Sequence, residues 1–170
     1  MKTVVSSLLT GLLAAALAGQ TKAPETKSAP KAAAATWKPA GKIYAQKLVE
    51  DALEKHPDLL IFVFHVTPPG KTTNVIIASN IGRIGKVGDE DDLRVINTGK
   101  PNLEVNTYGD HFEVEMAEKD SAGKTIGALA AVFAYKDGDD KEKLHQKAEA
   151  ILAEIEKQAP TKAKLFAPVK

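Results

Sequence analysis

The residues best suited to chemistry fall in two places. The first is Asn80–Gly88, NIGRIGKVG, where glycines recur at three-residue spacing around the cations Arg83 and Lys86. Backbone N–H groups in such a loop, together with two cations, can cradle an anion. The GxxGxxG spacing is neither a Walker motif nor a dinucleotide fingerprint. A loop that needs glycine to turn tightly beside two solvated cations gives the same pattern. The second place is the alternation His111, Glu113, Glu115, with His65 in a separate apolar run. Two histidines and a carboxylate can hold a divalent metal. Polar residues alternating along a strand are also what a solvent face looks like, and the expectation here is a solvent face with no metal. The acidic run Asp89–Asp92 lacks the spacing of a calcium loop and reads instead as the first turn of a helix, where the helix dipole favours negative charge. With no nucleophile elbow and no HExxH motif, no catalytic residue is assigned and the chain is expected not to be an enzyme.

These groups need elements to position them. His111–Tyr135 reads as a β-hairpin with polar turn residues Lys119–Lys124. Its second arm, Thr125–Tyr135, is apolar on both faces and so belongs inside a sheet. Its first arm places Phe112, Val114 and Met116 on one face and the polar residues on the other. Leu59–Val66, LLIFVFHV, is a second run apolar throughout, bounded by Pro57 and Pro68-Pro69-Gly70. Thr72–Ser79 follows as its hairpin partner, and NLEVN around Leu103 and Val105 suggests a short strand. Helices are predicted over Lys42–Lys55, over Glu90–Thr98 with Asp89 as N-cap and Gly99 at C′, and from a capping box of Asp139 and Glu142 to about Gln158.

Placing the two doubly apolar strands side by side gives a five-stranded antiparallel sheet of order 2-1-5-4-3 in an α+β fold, which is the order of a PAS-like sheet. The segments DDLRVINTGKPNLEVN and HFEVEMAEKDSAGKTIGALAAVFAY are similar to the second half of the extracytoplasmic PAS-like sensors called single Cache domains. The turn Asp120–Gly127 matches the DxxGKxIG pattern that joins the last two strands there. The resemblance covers roughly residues 42–158. It implies small-ligand sensing in a pocket between the sheet and Asn80–Gly99, with Arg83 as the residue that would meet a ligand carboxylate through a bidentate contact. Lys86, Tyr108 and His111 complete the expected ligand-binding set. Family members are usually followed by a membrane helix and a signalling module, so the expectation is a sensing role without an output module of its own. The alternative is a structural domain with a protein partner and no small ligand.

The rest of the chain sets the context. Met1–Ala18, with a positive start, an apolar stretch and Ala16-Leu17-Ala18, has the form of a secretory signal peptide, so a periplasmic or secreted location is expected. Gln20 stands where a lipoprotein box would need cysteine, and the chain contains no cysteine, which excludes disulfides and thiolate metal sites. Residues 19–41, rich in Ala, Lys and Pro, are expected to be a disordered linker with Trp37 as the first docking point. Residues 42–159 carry 15 basic against 21 acidic side chains. An acidic fold with few aromatics argues against nucleic acid. Residues 159–170 are expected to be a solvated basic tail.

Overall fold

The computed structural model describes residues 37–169; the expected signal peptide and most of the linker lie outside them. The apolar run Leu59–Val66 forms β1 and Val75–Ser79 forms β2, shorter than predicted because Thr72–Asn74 stay in the connecting loop. Asn102–Val105, His111–Lys119 and Thr125–Ala134 form β3, β4 and β5. All neighbours pair antiparallel in the order β2-β1-β5-β4-β3, as the doubly apolar strands required. Among the described residues four helices accompany the sheet: α1 over Tyr44–Lys55, α2 over Glu90–Thr98, α3 over Lys141–Gln158 and α4 over Lys162–Leu165.

The two faces of the sheet differ in the size of their side chains. One presents Phe62, Phe64, Phe112, Val114, Met116, Leu129 and Phe133 to the apolar stripes of α1 and α3, and this is the main core. The other presents Ala117 and Ala128, over which α2 lies through Val95 and Ile96, and Val63 and Ala130, which pack with Ile76 and Ile84. Each helix end follows its local chemistry. Asp89 caps α2 through a reciprocal box with Asp92, and Gly99 closes it with φ +69° and an N–H to Val95 O bond of 2.8 Å. At α3 the cap is one residue later than predicted. Asp140 accepts from the Lys143 amide, whereas Asp139 accepts from the Lys136 amide and closes the preceding turn.

The expected solvated tail is instead part of the fold. Leu165 is fully buried, and the ring of Phe166 meets Trp37 edge-on at 5.8 Å. The Tyr44 amide donates to Ala167 O at 2.8 Å, and Ile43 bridges Pro168. The basic residues that made the segment look solvated have other uses: Lys164 lies over the Tyr44 ring at 4.1 Å. The segment thus clamps the start of α1, and Trp37 docks where the sequence placed it. Leu165→Ala should cost about 2–5 kcal/mol through the cavity it leaves, read as a lower midpoint in urea unfolding. A change under about 0.5 kcal/mol would mean that the segment is not packed in solution.

One core group is out of character. Glu118 alternates with Met116 onto the α3 side of β4, is fully buried, and neither carboxyl oxygen has a hydrogen-bond partner. Burial, with the Glu156 carboxylate adding repulsion, pushes it up to about 8. Between about pH 4.5 and 8 the unfolded chain has released this proton while the folded chain keeps it, so its contribution to stability declines as pH rises through that window. Glu118→Gln should therefore gain on wild type by up to about 1.4 kcal/mol per pH unit across the window. Urea unfolding of both proteins from pH 4 to 9 tests this, and parallel stability curves would contradict it.

Candidate functional site

The sheet face under α2 and Asn80–Gly88 holds the polar groups. The loop is tied down at its start by the Asn80 side chain, which accepts from the Phe62 amide at 3.0 Å and donates to Leu60 O at 2.9 Å. Farther along, the Ile76 amide donates to Lys86 O and the Gly85 amide to Ile76 O, at 2.9 and 2.8 Å, so the loop runs as a partial strand beside β2. Gly85 is buried at φ +87°, and a Cβ there would lie 2.4 Å from Trp37 O. Glycine is thus required by close backbone approach as well as by the turn. Gly85→Ala should destabilise the fold by about 1–3 kcal/mol and expose Trp37, seen as a red shift in the emission of this lone tryptophan. An unshifted spectrum would contradict the contact.

Arg83 stands in this anchored loop at φ +64°, the one described non-glycine residue in the left-handed region. It borders a hollow of about 400 Å³ whose other walls are Ile61, Val132, Glu113, His111, Glu104 and Asn106. The walls come from β1, β5, β4, β3 and the turn after β3. Two predicted ligand residues, Arg83 and His111, are therefore brought together. The other two are not. Tyr108 is 87% exposed on the turn, and Lys86 lies 3.9 Å from Asp89 rather than in the wall. His111 is oriented by its neighbours: Nδ1 lies 2.5 Å from Asp110 Oδ1, and the Asn106 amide donates to the same oxygen at 2.7 Å. Those bonds, Asn106 first and then His111, hold Asp110 below the usual carboxylate range. The hollow carries two glutamates against one arginine, so it is not the purely cationic cradle the glycine spacing suggested.

The expected solvent face on β4 is also corrected. Glu115 is 1% exposed and Glu113 half-buried, because α2 and its leading loop cover them. His65 joins them from β1, on the same face as Val63 by the strand's alternation, and pairs with Ala128 of β5. From α2 comes Asp92, buried, with Oδ2 accepting from the Asp89 amide at 2.7 Å and lying 3.0 Å from His65 Nδ1. At that short distance the imidazole nitrogen nonetheless lacks a hydrogen-bond partner of good geometry. Burial pushes Asp92 up, but His65 and the backbone N–H of Asp89 outweigh it and hold the carboxylate below its ordinary range. Burial and then the Asp92 charge push Glu115 up to about 9, so at neutral pH it is a neutral acid able to donate to Asp92. Glu113 is raised as well, by burial first, with His65 opposing. Sequence reasoning singled out His65, Glu113 and Glu115 as neighbours but missed Asp92. Its only signal was its place three residues after the N-cap, where a capping box needs an acceptor.

No family model and no curated protein matches this sequence. Solved structures do resemble the fold. The GAF domain of A. aeolicus nlh2, solved in an inactive state, superposes with a TM-score of 0.53 over 68% of this chain and 84% of its own, at 15% identity. The Agobacterium tumefaciens repressor BlcR gives 0.48 over 75% and 69%, at 11% identity. The inducer-binding domain of the Acinetobacter factor PobR, in a 3-hydroxybenzoic acid complex, gives 0.43 over 69% and 95%, at 10% identity. The first of these shows the fold, a PAS/GAF-like α+β domain.

Proposed function

We propose that this domain binds a small polar organic molecule in the hollow beside Arg83, and that its role is sensing rather than turnover. The observation that carries the reading is the backbone of Arg83. A non-glycine residue at positive φ costs about 1–2 kcal/mol relative to glycine, and strain of this kind clusters at ligand clamps. Here it sits in a loop where glycines already abound, on the rim of a space of suitable size. Fold likeness alone would not carry a function, since one fold hosts many.

The charges of the walls narrow the ligand. Arg83 suits a carboxylate, while Glu104 and Glu113 suit an ammonium group. Ile61 and Val132 supply an apolar wall for a short side chain. A molecule bearing both charges, such as a free amino acid, therefore fits better than a simple anion. The signal-peptide pattern of residues 1–18 supports an encounter outside the cytoplasm, in the periplasm or after secretion. The DxxGKxIG turn at Asp120–Gly127 supports the finer likeness to single Cache sensors.

A thermal-shift screen of amino acids, organic acids and amines, run with a chelator present, tests this directly. Amino acids should raise the melting temperature, and Arg83→Ala should weaken the best of them by about 10-fold or more, the scale of one charge-assisted contact. Arg83→Gly should separate binding from stability: about 1 kcal/mol more stable, because the strain is relieved, yet equally weak in binding. No shift with any compound, or unchanged affinity in Arg83→Ala, would contradict the reading.

A further inference from the structure

Two residues along β4 from Glu113, the same sheet face carries a group that the ligand reading does not use. His65, Asp92 and Glu115 are 7%, 6% and 1% exposed, and each offers one ligand atom within 4.8 Å of the other two. Glu115 Oε1 and His65 Nδ1 have no hydrogen-bond partner. A fourth side chain outside the trio points to the same space. Asn74, 6% exposed at the entry to β2, has an unpartnered Oδ1. A Cβ on Gly88 would lie 2.6 Å from that oxygen and 3.1 Å from Asp92 Oδ2. Asn74 Oδ1 and Asp92 Oδ2 therefore converge on Gly88, whose missing side chain lets both approach.

We propose that His65, Asp92 and Glu115, with Asn74 beside them, form a site for one divalent first-row transition-metal ion, with Zn²⁺ or Mn²⁺ as the fitting type. Buried acceptors without donors are costly, and a cation satisfies several at once. With the Glu115 proton released to solvent as the ion binds, two carboxylates balance a double positive charge. One imidazole nitrogen among oxygens favours a first-row transition ion over calcium or magnesium, and the absence of thiolate disfavours the soft ones. The ligand atoms must close to about 2.0–2.2 Å around a common point. The His65 and Asp92 atoms at 3.0 Å are already spaced like adjacent corners of such a shell. Their elements, β1, α2 and β4, converge here independently, so an ion would pin α2 to the sheet. This site does not depend on the ligand hollow, and the chelator in the ligand screen keeps the two readings separable.

The test uses the full chain, stripped with chelator, dialysed against ZnCl₂ or MnCl₂ at pH 7.5, desalted, and analysed for bound metal. About one equivalent of at least one of the two ions should remain per chain, with the melting temperature raised by that ion. Glu115→Gln keeps the shape and a neutral side chain, so it should fold with a wild-type circular dichroism spectrum yet retain less than about a tenth of the metal. His65→Asn should do the same; if it fails to fold, Glu115→Gln alone decides. His145→Ala, which removes a histidine 3.7 Å from Glu149 on α3, should retain the full equivalent. Wild type without retained Zn²⁺ or Mn²⁺ would overturn the site. Full retention in Glu115→Gln, or loss in His145→Ala, would overturn it equally.

Discussion

The side chain of Asp92 joins what would otherwise be two separate layers. It completes the N-terminal box of α2 by accepting from the Asp89 amide, and it meets His65 on the central strand β1. The N3 carboxylate of a capping box ordinarily faces water. Here the same group is buried against the sheet, so helix start and helix docking are a single event. That arrangement imposes further requirements. Gly88 must lack a side chain so that Asp92 and Asn74 can approach, and Ala117 and Ala128 must be small so that Val95 can seat.

The contrast between the two sheet faces follows from this constraint. The α1 and α3 side is filled by phenylalanines and branched residues, with the buried Glu118 as its exception. The α2 side is lined by alanines and crossed by carboxyls, an imidazole and an amide, several without partners. Strain at Arg83 and the unpartnered atoms of His65, Asn74 and Glu115 around Asp92 lie on this side, against Glu118 on the other. Local rules broken together in one place are the mark of a face shaped by binding.

Much of the architecture was legible because the apolar pattern left little choice. Leu59–Val66 and Thr125–Ala134 have no polar face, and two such strands can only be central, which settles the sheet order. The Asp89 and Gly99 boundaries of α2 followed from cap chemistry. The C-terminal segment was misread because three lysines hide Leu165 and Phe166, which form no helical stripe long enough to register. The β4 glutamates were misread for a different reason. Period-2 alternation says which residues share a face but not what covers that face, and a short polar helix over alanines gives no apolar signal. The site was half legible. Arg83 and His111 meet at the hollow, while Lys86 and Tyr108 depart from it because a glycine-rich turn does not reveal which way each side chain leaves the backbone.

Whether the α2 side is the functional face can be measured without knowing the ligand in advance. Backbone amide resonances would be mapped while the strongest amino-acid hit from a screen is titrated in. Shifts should concentrate at Ile61, Arg83, Glu104, Asn106, His111, Glu113 and Val132. A second hollow of about 360 Å³ beside Trp37, lined by Pro68, Gly70 and Lys71–Thr73, provides the contrast. Shifts centred there, with Arg83 and Glu113 unmoved, would contradict the assignment of function to the α2 side.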